Sequence, residues 1–290
     1  MRDVHPLAGT DVVVPTGDAY GLDAPLRMHV VEHGRRDRVG VLMLHGLPTT
    51  SYLWRDVARD LEHEHLCLMP DLIGLGSSEK PLQRRPYALD AQARVVLGAL
   101  DALQVQRVVA VGHDLGGAVA VHIAALAPQR IAGLVLIDSP LHAEVWPVPS
   151  VLPLLTPGVA QAEVGLLRRT PNLARKVLAR SLGSALEPRE LDSYLTPLLS
   201  ADGAAALLRF VRAVDLAAVE AAWRVVCADP PPALVIWGEA DRLHGPGYGR
   251  RVAEEIGGGW VPVGEGDHLL PQQRPERVAE EIAGFSADLA

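Results

Sequence analysis

The sequence predicts an α/β fold: a mostly parallel sheet covered by helices on both faces, with an inserted helical lid. Three observations predict it. Continuous apolar runs such as Val39 to Leu44 and Ile131 to Ile137 read as strands buried on both faces. These runs alternate with stretches of helical texture, which implies crossover helices between parallel strands. The alternation breaks off at Ser139 and resumes at Ala233; between them, Val159 to Val226 carries Ala and Leu at three- and four-residue spacing without a strand pattern.

Asp11 to Val14 and Leu26 to Glu32 read as early strands joined by a connection containing Gly and Pro. The run Val39 to Leu44 ends in His45-Gly46-Leu47-Pro48, and Ser51 to Leu61 follows as a helix. Leu66 to Met69 is the next strand, before a loop from Asp71 to Pro81. Leu89 to Leu103 is helical, Arg107 to Val111 extended, and Ala118 to Ala127 an Ala-rich helix. After Ile131 to Ile137 comes a proline-rich stretch, Ser139 to Pro157. Ala233 to Trp237 and Trp260 to Val263 restore the strands, and Gln272 to Leu289 closes the chain as an amphipathic helix. The expected division is a core of residues 1–138 and 227–290 and a lid of residues 139–226. Such a lid covers the C-terminal ends of the strands, where ligands bind in these sheets.

Composition narrows the function. The 290 residues are 49% hydrophobic and 21% charged, with a formal net charge of −8. That balance, with no Lys/Arg-rich run, argues against a nucleic-acid partner. No apolar stretch is long enough to span a bilayer, and Met1 to Pro15 lacks the pattern of a secretory leader. A cytoplasmic monomer or homodimer acting on a small molecule is the expectation. Cys67 and Cys227 stand far apart, outside metal-type spacing, and read as buried or partly buried thiols. No metal and no organic cofactor is expected.

The chemistry concentrates at Gly112-His113-Asp114-Leu115-Gly116. A strand precedes this pentapeptide and a helix follows it. Small residues on either side relieve the crowding of a strand that turns at once into a helix. The turn projects the central side chain above the sheet, beside a helix N-terminus that stabilises negative charge. This is the Gly-x-nucleophile-x-Gly arrangement, with Asp where serine esterases carry Ser. A carboxylate with an ordinary pKa of about 3.9 is already ionised at neutral pH. It can displace a leaving group at saturated carbon, and water can then hydrolyse the resulting ester. The bland reading of Asp114 is a helix cap.

Hydrolysis of that ester needs a base and a group to orient it. His268, in Gly266-Asp267-His268, follows the last strand and is the candidate base. Asp241, in Trp237-Gly238-Glu239-Ala240-Asp241-Arg242, is the candidate orienting acid, and Asp138 is its rival. Backbone N–H groups of Leu47 and Leu115 are the expected oxyanion donors. His45 is expected to shape its own turn.

These motifs carry a resemblance. His45 to Arg55, Asp71 to Ser78, Gly112 to Gly117, Trp237 to Arg242 and Gly266 to His268 are similar to the haloalkane dehalogenase and epoxide hydrolase branch of the α/β-hydrolases. The resemblance implies an Asp-His-Asp triad of Asp114, His268 and Asp241 and a covalent ester intermediate. Dehalogenases of the branch place a Trp after the nucleophile and an Asn or a lid Trp as a second halide donor. Leu115 and Leu47 stand at those positions here and offer no side-chain donor. Epoxide hydrolases use lid Tyr hydroxyls, and Tyr194 is the only Tyr of the inserted helices. Its stripe with Leu191, Leu195 and Leu198 reads equally as packing. Trp146, Trp223 and His113 are further candidate substrate-binding residues, and His142 reads as a donor near the pocket mouth or as a surface residue. Hydrolysis of a moderately sized apolar epoxide is the expectation. A haloalkane or haloacid dehalogenase, an esterase or lactonase, and a non-catalytic receptor are the alternatives.

Overall fold

Strands that are apolar at every position are stable only between two helical layers, and the sheet consists largely of such strands. In the computed structural model of the protein, residues 7–15, 17, 23–38, 40–146, 156, 158–182, 186–287 and 289 are described. Val39, the first residue of an expected strand, and most of the proline-rich stretch lie outside them. The strands are β1 (Thr10–Val14), β2 (Leu26–Gly34), β3 (Gly40–Leu44), β4 (Leu66–Pro70), β5 (Val108–His113), β6 (Ile131–Ile137), β7 (Ala233–Gly238) and β8 (Gly259–Val263). They form one sheet in the order β1-β2-β4-β3-β5-β6-β7-β8. β2 is antiparallel to both β1 and β4, and every other pairing is parallel. The strand order reverses around β3, so the C-terminal ends of β3 and β5 border a crevice.

Alternate side chains feed two cores. Leu42, Leu44, Ala110, Leu134 and Leu136 face one layer, which contains α2 (Leu89–Ala102) and α3 (Leu115–Leu126). Val41, Met43, Val109, Val111 and Val135 face the other, which contains α1 (Arg55–Leu61) and the terminal helix. A 3-10 turn, Ser51–Trp54, leads into α1.

Five helices lie between β6 and β7: α4 (Val159–Arg169), α5 (Pro171–Leu182), α6 (Pro188–Leu198), α7 (Ala201–Ala213) and α8 (Leu216–Ala228). Local chemistry starts them. Pro188 opens α6 behind a Glu187/Glu190 capping box. Ser200 accepts the Gly203 N–H at the start of α7, and Asp215 accepts the Ala218 N–H at the start of α8. α8 continues to Ala228, so a boundary after Val226 falls within a helix. Its buried Leu216, Val219, Trp223 and Val226 join the core around α3.

Three helices follow β7: α9 (Pro246–Ile256), α10 (Leu270–Gln273) and α11 (Pro275–Ala287). α11 buries Val278, Ala279 and Ile282, one helical face. Burial of Val278 and Ile282 contributes roughly 2 kcal/mol each. No helix among the described residues is long and apolar enough to cross a membrane. Cys67 is buried and Cys227 half-buried, and burial pushes both thiols up, to about 12 and about 11.

α9 carries two glycines with different surroundings. A Cβ on Gly249 would lie 2.3 Å from the Trp237 ring, whereas one on Gly247 would meet nothing within 4 Å. Gly249→Ala is therefore expected to destabilise the protein by about 1–3 kcal/mol. Gly247→Ala is expected to stabilise it by up to about 1 kcal/mol. Urea unfolding midpoints check both, and a common shift in one direction would contradict the packing described.

Candidate active site

The elbow is a backbone device. β5 ends at His113, α3 starts at Leu115, and Asp114 between them has φ 51° and ψ −128°. A non-glycine residue in that region costs about 1–3 kcal/mol and persists only where its surroundings hold it. Asp114 N–H donates to the Ile137 carbonyl at 3.1 Å, and Gly117 N–H donates to the Asp114 carbonyl at 3.0 Å. Glycine is required on both sides. A Cβ on Gly112 would lie 2.4 Å from Gly117 Cα, and one on Gly116 would lie 2.1 Å from the Leu44 carbonyl oxygen.

The loop after β3 reaches the same point. Leu47 N–H donates to Asp114 Oδ2 at 2.9 Å. The Leu115 N–H, the other expected donor, makes no hydrogen bond to the carboxylate in this structure, although it is the first amide of α3. His45 is buried beneath the loop. Leu72 N–H donates to its Nε2 at 3.0 Å, so its Nδ1–H is the donor to the Gly46 carbonyl, also at 3.0 Å.

His268 sits between β8 and α10. Its Nδ1–H donates to Asp241 Oδ2 at 3.1 Å, which leaves Nε2 facing Asp114 Oδ1 at 3.9 Å. Asp241 is fixed in turn: its Oδ1 accepts N–H groups of Leu243 at 2.7 Å and His244 at 3.2 Å. Burial works against the Asp241 charge, but the His268 hydrogen bond and charge, with those two amides, hold the carboxyl below its usual range. Burial likewise works against the imidazolium of His268. The Asp241 hydrogen bond and charge, with the nearby Asp114, outweigh it and raise His268 to about 9.

Asp138, the rival acid, is placed differently. Its Oδ1 accepts the Gly238 N–H at 2.9 Å, and its Oδ2 has no partner. Burial, reinforced by the charge of Asp241, pushes its carboxyl well above the usual range. The structure brings Asp241, and not Asp138, into hydrogen-bond contact with His268.

A cavity of about 130 Å³ opens over Asp114 and His268. Its walls are mainly aliphatic, including Leu167, Leu178, Leu195 and Leu207 from the inserted helices. Of the four candidate substrate-binding residues, Trp146 lines it and three do not. Tyr194 is fully buried and donates its hydroxyl to Gln272 Oε1 at 2.6 Å. Trp223 donates its indole N–H to Glu255 Oε2 at 2.7 Å. His113 lies under the base, where its Nε2–H donates to the His268 carbonyl at 2.6 Å; burial and the charge of His268 lower it to about 3. These three placements correct the expectation for Tyr194, Trp223 and His113: each polar group is committed to the protein. His142 is buried as well, between Tyr248 at 2.9 Å and Glu255 at 3.0 Å.

Two polar side chains of the cavity escaped the sequence reading, His244 and Glu163. His244 packs edge-on against His268, with ring centroids 5.8 Å apart. Its Nδ1 has no hydrogen-bond partner, and burial together with the charge of His268 lowers its pKa. Its position three residues after Asp241 was the available signal. Among the described residues no group of three His, Cys, Asp or Glu side chains could hold a metal ion.

A carboxylate on an elbow at a sheet crevice, faced by a buried His–Asp pair, is an arrangement shared by a class of α/β enzymes. The family described as alpha/beta hydrolase fold matches residues 40–273. The chain belongs to that family and is an α/β-fold hydrolase. It is 30% identical over 262 residues to a haloalkane dehalogenase of Mesorhizobium japonicum, covering 84% of this chain and 83% of the relative. It is 36% identical over 124 residues to epoxide hydrolase 4 of Homo sapiens, covering 43% of this chain and 34% of that one. The crystal structure of a putative ancestral haloalkane dehalogenase superposes with a TM-score of 0.81 at 28% identity, covering 97% of this chain and 99% of that one.

Two outcomes follow from the placements. Asp114→Asn removes an anion that favours the imidazolium, so the His268 pKa is expected to fall below about 9. An NMR titration of the imidazole checks this, and an unchanged value would contradict the arrangement. Tyr194→Phe leaves Gln272 Oε1 without its donor and is expected to cost about 1 kcal/mol of stability. Its turnover should match the wild type, and a selective loss of kcat with unchanged stability would return Tyr194 to the reacting atoms.

Proposed function

We propose that this hydrolase opens a carbon–oxygen bond of an apolar epoxide through an ester of Asp114. One observation carries the reading: a carboxylate stands at the elbow with Oδ2 held by the Leu47 N–H and Oδ1 facing His268. Asp114 Oδ1 attacks the epoxide carbon. The ring carbon–oxygen bond breaks, its electron pair stays on oxygen, and that oxygen takes the Nε2 proton of the resting His268 imidazolium, which leaves His268 neutral. Esterification removes the Asp114 charge and lowers the His268 pKa. A neutral His268, oriented by Asp241, then takes a proton from water as the water oxygen adds to Asp114 Cγ. The developing oxyanion occupies the Oδ2 position, at the Leu47 N–H and beside the Leu115 N–H. Collapse releases the diol and restores the carboxylate. The five inserted helices, α4 to α8, serve as the lid.

The leaving atom needs a donor. Leu47 and Leu115 carry none in their side chains. Apart from His268, the described N–H-bearing side chains of the cavity are Trp146 and His244. His244 lies beside the base and supplies the hydrogen bond to the ring oxygen. A second reading, haloalkane dehalogenation, is favoured by the Mesorhizobium japonicum relative and by Trp146, whose indole could meet a halide.

Mass spectrometry of His268→Gln during incubation with 1,2-epoxides, 1-haloalkanes, haloacetates and activated esters separates these readings. The expected result is an adduct on the Asp114 peptide with the full mass of an epoxide. An adduct lacking the halogen would select the dehalogenase. Ester turnover without an adduct would select an acyl hydrolase, and silence across the panel would favour a receptor. Asp114→Ala is expected to abolish turnover, and a wild-type rate in that variant would sink the mechanism.

A further inference from the structure

Helix α4 turns positions 163, 164 and 167 toward the cavity, the spacing of one helical face. Val164 and Leu167 continue the aliphatic wall; Glu163 interrupts it. The Glu163 Oε2 is buried and has no hydrogen-bond partner. Among the described residues of this wall, the only other carboxyl is that of Asp114, which already receives the Leu47 N–H. No salt bridge among the described residues reaches Glu163, although Arg168 and Arg169 share its helix.

A carboxyl oxygen removed from water carries a desolvation penalty that only a donor offsets. Among the described residues the walls beside Glu163 are mainly aliphatic and none donates to its Oε2, so an occupant of the cavity is the source of that donor. An ammonium or hydroxyl group supplies it. An ether or a carboxylate brings another lone pair against the first, and a bare hydrocarbon leaves the oxygen unpaired. We propose that Glu163 makes the cavity selective for apolar molecules carrying a hydrogen-bond donor, an ammonium or a hydroxyl group, at the end that meets α4. The proposal rests on the preceding reading for one point, that Asp114 marks the reacting end of the same cavity. The substrate class then becomes an apolar chain with an electrophilic carbon at one end and a donor at the other.

Calorimetric binding of hexylamine, hexanol, 1-methoxypentane and hexanoate tests it. None of these probes needs to react with Asp114, so the result stands whether or not the alkyl-ester reading holds. The wild type is expected to bind hexylamine or hexanol at least about tenfold more tightly than 1-methoxypentane, with hexanoate weakest. A preference for hexylamine alone identifies the donor as a cation; a preference for both admits neutral donors. Glu163→Leu is expected to erase the preference. Glu163→Gln keeps the shape and an acceptor oxygen, so it should weaken hexylamine more than hexanol. Equal binding of hexylamine, hexanol and the ether by the wild type, or a preference that survives in Glu163→Leu, would overturn the proposal.

Discussion

The close approach of β5 to α3 is the constraint on which the site depends. A strand can turn into a helix in one residue only if the flanking positions carry no side chain, and Gly112 and Gly116 meet that condition against Gly117 and Leu44. The residue at the turn then takes a positive φ, and Asp114 is held there by the Ile137 carbonyl of the neighbouring strand. Everything else is aimed at that side chain. Gly46 lets the β3 loop come close, since a Cβ there would fall 2.2 Å from Asp114 Oδ2. The loop after β8 brings His268 to the other oxygen, and the loop after β7 brings Asp241 to His268. The sheet thus supplies four converging loops, and its rigidity sets their mutual distances.

Charge gives the site its sequence of events. Two carboxylates, Asp241 and Asp114, beside one imidazole favour the imidazolium of His268. In the proposed reaction, alkylation of Asp114 removes one of those charges and releases the imidazole to act as a base. The neighbouring imidazoles are not competing proton acceptors. His113 and His244 are disfavoured as cations by burial and by His268 itself. His45 is committed to two backbone groups. Asp138, pushed toward its neutral form, does not compete with Asp241 for the base.

The strands were legible because most are short apolar runs, and the positions of Asp114, Asp241 and His268 were legible because each lies in the turn or loop that follows such a run. Helix α9 was not. Gly247 and Gly249 dilute its propensity, and Gly249 is there to admit the Trp237 ring, a tertiary contact that local sequence does not announce. Pro246 at its start and the left-handed Gly257 at its end were the local signals. Tyr194 shows a second limit. A stripe of Leu191, Tyr194, Leu195 and Leu198 marks a buried face but not what that face meets, and the hydroxyl meets Gln272 rather than a ligand. Trp223 is similar, with its indole turned to Glu255. Glu163 fails in the opposite sense, since a Glu on an amphipathic helix reads as a solvated position.

The central claim is that Asp114, and not water, attacks carbon. A single turnover of 1,2-epoxyhexane in heavy-oxygen water, with enzyme in excess, tests it most directly. The account predicts a first diol that carries no heavy oxygen and a heavy label in the Asp114 carboxylate. A labelled diol beside an unlabelled Asp114 would contradict it, because water would then have reached the carbon without an ester.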